Sequence, residues 1–193
     1  MEKLKVFKQH PSAVVPAFAT QGSACFDLCA AFDVESKIKV IGKGVFVPDP
    51  NLLGMMGDFM VHEGTITPLG TIQDDGSYKA QLKIPDGCRV LIPTGLIFDI
   101  PDNHVLKVYS RSGTSLKKGL ILTNSVGIID SDYVEEVFIS MTNISGMTID
   151  IAPGERIAQA MLEKVIRTEL VELETRPSRK TTRQGGFGST GTK

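Results

Sequence analysis

Short apolar runs separated by turn residues dominate the chain. The segments 89–93, 96–100, 105–109 and 137–141 are rich in β-branched and aromatic residues, and Gly or Pro residues lie between them. Such runs predict strands because strands are short and favour these side chains. Many short strands at regular spacing favour an all-β sandwich, jelly roll or barrel.

One short helix is expected among these strands, at 112–119. Ser112 stands where its hydroxyl can cap the first turn, and Gly119 stands where a left-handed residue would end the last turn.

The stretch 37–84 differs from its flanks in composition. It contains several Gly and Pro residues, three methionines and an Asp75-Gly76 pair between two strand-like segments. Asp-Gly pairs favour tight hairpin turns because both positions tolerate a left-handed backbone. We interpret 37–84 as a β-rich insert within a single domain that spans residues 1–173.

From residue 174 onward the chain becomes basic, Gly-rich and poor in apolar side chains. In isolation such a segment cannot bury enough apolar surface to offset its ordering entropy, which predicts a flexible arm at 174–193. Phe187 lies among four glycines. This arrangement favours a segment that becomes ordered over a ligand.

Bulk composition narrows the classes of function. The 193 residues carry a formal net charge of −1, whereas a general nucleic-acid binder usually has a strong basic excess. No apolar run approaches the roughly 18 residues that cross a bilayer, and the first residues lead into no signal-like stretch. We therefore expect a cytoplasmic protein with reduced cysteines and with no nucleic-acid or membrane partner.

Five short segments contain the candidate site residues, and the first two carry an acidic and a basic side chain. Residues 23–28 place Asp27 between apolar neighbours. Residues 110–115 combine Arg111, whose guanidinium can grip a phosphate in two places, with a helix start whose free N–H groups suit phosphate oxygens.

The third segment, residues 124–133, reads Asn-Ser-Val-Gly-Ile-Ile-Asp-Ser-Asp-Tyr. Asp130 can accept a proton from water as a general base, which requires hydrogen-bond reach and a pKa below the working pH. Tyr133 can stack against a sugar. Taken alone, the segment is more typical of a hairpin with solvated acids.

The last two segments supply further phosphate donors. Gln159, at the end of 154–159, can donate to phosphate. In the Gly-rich tail, Arg183 supplies charge and Phe187 offers a face for a base, while glycines allow close backbone approach. Each segment has an ordinary structural interpretation by itself, and only their joint presence and order favour one function.

Together these segments resemble the five ordered motifs of the trimeric dUTPase family. The resemblance covers residues 1–36 and about 85–193, and the strings at 127–133 and 185–191 are unusual. It implies a distorted jelly-roll-like β fold and a homotrimer with shared active sites. It also implies hydrolysis of dUTP to dUMP and pyrophosphate with Mg²⁺, which limits uracil in DNA and supplies dUMP for thymidylate synthesis.

The resemblance also implies a role for each site residue. Asp130 would activate the water that attacks the α-phosphorus in line, and Arg111 and Asp27 would support that water and the metal surroundings. Mg²⁺ would be held mainly by the triphosphate and waters, with no direct protein ligand. Among the substrate-binding residues, the phosphates would be bound by Ser112, Gly113 and Gln159, and uracil by Asn124, Gly127, Ile128 and Ile129. The deoxyribose would pack on Tyr133. Uracil and the γ-phosphate would also be contacted by residues on the arm of another subunit, namely Arg183, Phe187, Gly188 and Ser189.

The tail departs from the family pattern in its spacing. Arg183 lies four residues before Phe187, whereas the family arginine usually lies five residues before the aromatic. Arg179 and Lys180 are therefore alternative ligands of the γ-phosphate.

Two other functions are compatible with the same motifs. A dCTP deaminase, alone or combined with dUTPase activity, resembles this fold but uses a glutamate and an arginine where this chain has Ser140 and Leu116. A binding or regulatory protein on a dUTPase scaffold is the second, with the insert at 37–84 as the surface for a protein partner.

Overall fold

The computed structural model describes residues 2–42, 64–66, 68–72 and 78–182. Predictions that fall outside these residues are the turn at 75–76 and the roles of Arg183, Phe187, Gly188 and Ser189.

The described residues form fourteen strands and one helix. In chain order they are β1 (Lys5–Lys8), β2 (Phe26–Cys29), β3 (Ile38–Ile41), β4 (Gly64–Ile66), β5 (Leu69–Ile72), β6 (Tyr78–Ile84), β7 (Arg89–Pro93), β8 (Leu96–Asp99), β9 (His104–Ser110), α1 (Ser112–Lys118), β10 (Leu120–Leu122), β11 (Val126–Ile129), β12 (Phe138–Asn143), β13 (Ile149–Ile151) and β14 (Arg156–Lys164).

Alternating burial explains why the predicted strands form. On β7 the side chains of Val90 and Ile92 are buried while their neighbours are more exposed, and Ile139 and Met141 follow the same rule on β12. A strand places successive side chains on opposite faces, so this alternation gives each sheet one apolar face. The strands predicted from the four apolar runs are confirmed.

All strand pairs are antiparallel and belong to four sheets. The orders are β1-β8, β10-β12-β7-β3-β4, β11-β9-β14-β2 and β13-β6-β5. Their inner faces contribute to one apolar core. The predicted all-β architecture is confirmed. Among the described residues, its strands form packed, open sheets and do not close into a barrel.

Both ends of the stretch 37–84 belong to the core. Val40 on β3 pairs with Val90 of β7 and is fully buried, and Leu82 on β6 is fully buried as well. Strands β5 and β6 pair antiparallel up to Ile72 and Tyr78, as a hairpin through the predicted turn requires. Residues 43–63, in the middle of the stretch, lie outside the described residues.

The helix begins one residue earlier than a cap at Ser112 requires. Arg111 occupies the N-cap position with an extended backbone (φ −87°, ψ 136°), and its side chain makes no capping hydrogen bond. Ser112 is already helical, so the prediction that it caps the helix is wrong. Gly119 ends the helix in the left-handed region (φ 64°), as predicted. In the described ranges, no helix is long and apolar enough to cross a membrane.

Candidate active site

One line of paired residues crosses the four-stranded sheet, and we call it the Asp27 row. Asp27 on β2 lies opposite Gln159 on β14, Gln159 lies opposite Tyr109 on β9, and Tyr109 lies opposite Val126 on β11. Residues directly opposite each other in antiparallel strands share a face. All four retain exposed area, which places the row on the outer face of the sheet.

Two arginines bind the Asp27 carboxylate at one end of this row. Arg111 Nε donates to Asp27 Oδ1 at 2.7 Å, and Arg156 Nη1 donates to Asp27 Oδ2 at 3.1 Å. Arg111 Nη1 also donates to the Arg156 carbonyl at 3.1 Å. Because two guanidinium groups face one carboxylate, the cluster has a net positive charge, which favours a phosphate nearby.

Arg156 is a further candidate site residue, and it was not predicted from the sequence. It lies in the fourth segment, two residues after Gly154, but 129 positions separate it from Asp27. A basic residue inside a phosphate-binding segment was the available signal. Only the antiparallel pairing of β14 with β2 brings the two side chains together.

The remaining predicted phosphate donors lie beside Arg111. Gln159 Nε2 donates to the Ser110 carbonyl at 2.9 Å, and its second amide N–H can bind a ligand. Ser112 and Gly113 are exposed at the start of α1. A Cβ atom added at Gly113 would meet no atom within 4 Å, so the space over this turn is open. The structure therefore brings Asp27, Arg111, Gln159 and the start of α1 together.

The predicted uracil hairpin, residues 124–133, is built around β11. Ser125 adopts a positive φ of 62°, and the Asn124 carbonyl accepts a hydrogen bond from the Val126 N–H at 2.6 Å. Gly127 pairs with Val108, and a Cβ atom at Gly127 would lie 3.1 Å from the Val108 Cβ. Glycine therefore allows the close approach of β11 to β9.

Asp130 borders a cleft of about 320 Å³ at the end of this hairpin, which we call the Asp130 cleft. Its other walls are apolar or aromatic: Leu91, Ile128, Ile129, Tyr133, Val137 and Phe138. Three of these residues lie outside the hairpin and were not predicted from the sequence, namely Leu91, Val137 and Phe138.

A second, polar cleft of about 540 Å³ meets the same aspartate. Its lining includes Asp102, His104, Asp132 and Arg167. Asp130 is exposed between the two clefts, so solvent water can reach its carboxylate.

Within one chain, Asp130 is far from the phosphate donors. It directly follows the last residue of β11 and lies four residues beyond Val126, which is about 14 Å at the usual strand rise. Strand β2 lies three strand spacings across the sheet, which is again about 14 Å. Ideal strand spacings therefore put the Cα atoms of Asp130 and Asp27 about 20 Å apart. One chain therefore carries two separate candidate clusters, one around Asp130 and one around Asp27.

Comparison with known proteins identifies the family. The dUTPase family model matches residues 75–191. The deoxyuridine 5'-triphosphate nucleotidohydrolase of Wolinella succinogenes is 30% identical over 190 residues, which cover 98% of this chain and 94% of that protein. The chain belongs to the dUTPase family. It is therefore a dUTP diphosphatase, and it hydrolyses dUTP.

Other dUTPases agree in sequence and in fold. The Methylocella silvestris enzyme is 44% identical over 113 residues, 58% of this chain and 69% of the relative. A Staphylococcus bacteriophage 80alpha dUTPase mutant with dUpNHpp matches 99% of both chains with a TM-score of 0.62 at 21% identity. The Streptococcus mutans dUTPase matches 87% of this chain and 99% of its own, with a TM-score of 0.58 at 22% identity. The predicted jelly-roll-like β fold is confirmed.

Proposed function

We propose that Asp130 deprotonates the water that attacks the α-phosphorus of dUTP in line, releasing pyrophosphate and leaving dUMP. The observation that supports this assignment is the position of Asp130, an exposed carboxylate at the rim of an apolar cleft. The cleft suits a nucleoside, because a base and a sugar present flat or apolar faces. The carboxylate at its rim would then lie beside the first phosphate.

Strand β11 supports the proposed uracil site. It is an edge strand of the four-stranded sheet, and β9 occupies only one of its edges. Along the other edge, backbone N–H and C=O groups can bind the polar edge of a base. We assign uracil to the backbone of Gly127, Ile128 and Ile129, with the side chain of Asn124 beside it. Tyr133 would pack under the deoxyribose and leave no room for a 2′-hydroxyl.

The positive cluster around Asp27 supports the proposed triphosphate site. We assign the phosphate oxygens to Ser112, Gly113 and Gln159, beside the guanidinium of Arg111. Asp27 would act as a positioning residue, because both of its oxygens already accept hydrogen bonds from arginines. On the arm, Arg183, Phe187, Gly188 and Ser189 would close over the bound nucleotide and exclude bulk water.

We assign the two halves of each site to different chains of a homotrimer. The separation of about 20 Å between Asp130 and Asp27 supports this assignment, since a single dUTP must contact both groups. A trimer with threefold symmetry would form the same contact three times, with Asp130 from one chain beside Arg111 from the next.

Magnesium fits the proposed site as a partner of the triphosphate. Within the described part of the chain, no three His, Cys, Asp or Glu side chains are arranged to hold a metal ion. Asp27 is engaged by Arg111 and Arg156. The available donors thus suit an ion that carries phosphate and water ligands. When bound, Mg²⁺ would neutralise part of the phosphate charge in the transition state.

Removing Mg²⁺ should lower pyrophosphate release from dUTP at least about 100-fold, because metal stabilisation of phosphoryl charge contributes several kcal/mol. The measurement is pyrophosphate release in excess EDTA, followed by addition of Mg²⁺, which should restore the rate. The melting temperature should not change with EDTA. Undiminished turnover in EDTA would refute the cofactor assignment, and a fall in melting temperature would show a structural metal instead.

The dCTP deaminase alternative finds no support in the described residues. Leu116 on α1 is 87% exposed and carries no polar group, and Ser140 on β12 has no ionisable side chain.

We assign the reaction to the cytoplasm, in line with three free cysteines. Burial raises the pKa of the Cys29 and Cys88 thiols, which keeps them protonated.

A further inference from the structure

The turn between β7 and β8 holds the segment that follows the uracil hairpin. The Gly95 N–H donates to Glu136 Oε1 at 2.7 Å, and Thr94 Oγ1 donates to the Val137 carbonyl at 2.6 Å. The Val137 N–H in turn donates to the Leu96 carbonyl at 2.9 Å. The Thr94 N–H also donates to the Val137 carbonyl at 3.3 Å, so four hydrogen bonds hold residues 136–137 on this turn.

Tyr133 is attached to the same place. Its hydroxyl donates to the Glu136 carbonyl at 2.8 Å. Tyr133 is 39% exposed and forms part of the wall of the Asp130 cleft. Glu136 thus connects two contacts: its side chain binds the turn, and its main chain holds the tip of the ring.

The turn itself has little freedom to move. Gly95 has a φ of 65°, and a Cβ atom there would lie 2.8 Å from the Cβ atoms of both His10 and Ala13. The Gly95 carbonyl also accepts a hydrogen bond from the Gln9 N–H at 2.8 Å. The N-terminal segment therefore packs against the turn and makes it a fixed support for Glu136.

We propose that Glu136 is a positioning residue that sets the Tyr133 ring against the deoxyribose and thereby strengthens discrimination against UTP. The inference rests on the proposed role of Tyr133 under the sugar. Glu136 is not part of the cleft lining, so it acts through the tyrosine and not on the nucleotide. A ring whose hydroxyl is held in place excludes a 2′-oxygen, whereas a loosely held ring can move aside for it.

The test compares Glu136→Ala, Glu136→Gln and Glu135→Ala in the full chain. Glu136→Ala should lower the ratio of kcat/KM for dUTP to kcat/KM for UTP about tenfold, a factor worth about 1.4 kcal/mol. The reason is that residue 136 loses its hydrogen bond to the Gly95 N–H, so its carbonyl no longer holds the Tyr133 hydroxyl in one place. The dUTP kcat should stay within about threefold, since Asp130 and the phosphate donors are untouched. Glu136→Gln keeps an acceptor oxygen and should restore the ratio. Glu135 is an exposed neighbour, and its alanine variant should match the unsubstituted protein.

A double-variant cycle identifies the route of the effect. Tyr133→Phe removes the hydroxyl that Glu136 holds, so Glu136→Ala should add little to the loss that Tyr133→Phe causes. Additive losses would overturn the proposed route, and an unchanged dUTP/UTP ratio in Glu136→Ala would overturn the proposal itself. If the alanine variant fails to fold, Glu136→Asp, which is one methylene shorter, is measured in its place with the same criteria. Failure of the proposed function would be seen in a different measurement, because the unsubstituted protein would then release no pyrophosphate from dUTP.

Discussion

Asp130→Asn should bind dUTP as tightly as the unsubstituted protein, within a few-fold, and hydrolyse it at least about 100 times more slowly. The amide has nearly the same size and can still form hydrogen bonds, so the Asp130 cleft keeps its shape. It cannot accept a proton from water at neutral pH. The loss should therefore appear in kcat, with little change in the affinity for a non-hydrolysable dUTP analogue.

Asp132→Asn is the matched control for this experiment. Asp132 is an exposed aspartate two residues away, and it borders the polar cleft but not the apolar one. Asp132→Asn removes one negative charge from the same hairpin, and its kcat for dUTP should stay within a few-fold of that of the unsubstituted protein. If Asp130→Asn turned over dUTP at a similar rate to Asp132→Asn, Asp130 would not be the general base.

Two inactive variants should restore activity to each other when they are mixed. Arg111→Ala damages the phosphate half of the site, and Asp130→Asn damages the half with the base. Because the two halves lie about 20 Å apart in one chain, we expect each site to combine Arg111 of one chain with Asp130 of another. In randomly mixed trimers about a quarter of the sites would contain both intact residues, which should give about a quarter of the full activity.

The mixing experiment requires subunit exchange, which is achieved by unfolding and refolding the two variants together. Native mass spectrometry of the refolded sample confirms that mixed trimers have formed. Each variant refolded alone is the control and should remain inactive. If mixed trimers form and activity stays at the level of the single variants, both halves of a site come from one chain, and the proposed shared site is wrong.

Strand positions followed from local sequence to a large extent. The runs at 89–93 and 137–141 predict strands because alternating burial leaves an alternating pattern of apolar side chains. Gly119 was predictable as a helix end, since a left-handed residue favours glycine. The residue at which the helix begins was not predictable in the same way. It depends on Arg111, whose side chain is bound to Asp27 in a distant strand.

The composition of the stretch 37–84 concealed the role of its ends. Ile38 and Val40 alternate with Lys37 and Lys39, a pattern typical of a half-buried strand, but turn residues and methionines dominate the stretch as a whole. Composition is averaged over many residues, whereas membership of a sheet depends on a few buried side chains. The pairing of β3 with β7 became apparent only in the fold.

The candidate site was predictable as a set of motifs and not as a geometry. Leu91 and Phe138 reach the Asp130 cleft from β7 and β12, and no local pattern distinguishes them from other outward-facing apolar residues. The separation of Asp130 from Arg111 likewise depends on the register of four strands. Long-range pairing decides both features, so neither follows from residues that are neighbours in sequence.

Hydrolysis of a panel of nucleotides by the unsubstituted protein tests the central claim most directly. The panel is dUTP, dCTP, dTTP and UTP with Mg²⁺, and both pyrophosphate and ammonia are measured. We expect rapid pyrophosphate release from dUTP, at least about 100 times slower release from the other three, and ammonia from none. Ammonia from dCTP, or pyrophosphate from dTTP or UTP as fast as from dUTP, would contradict the account.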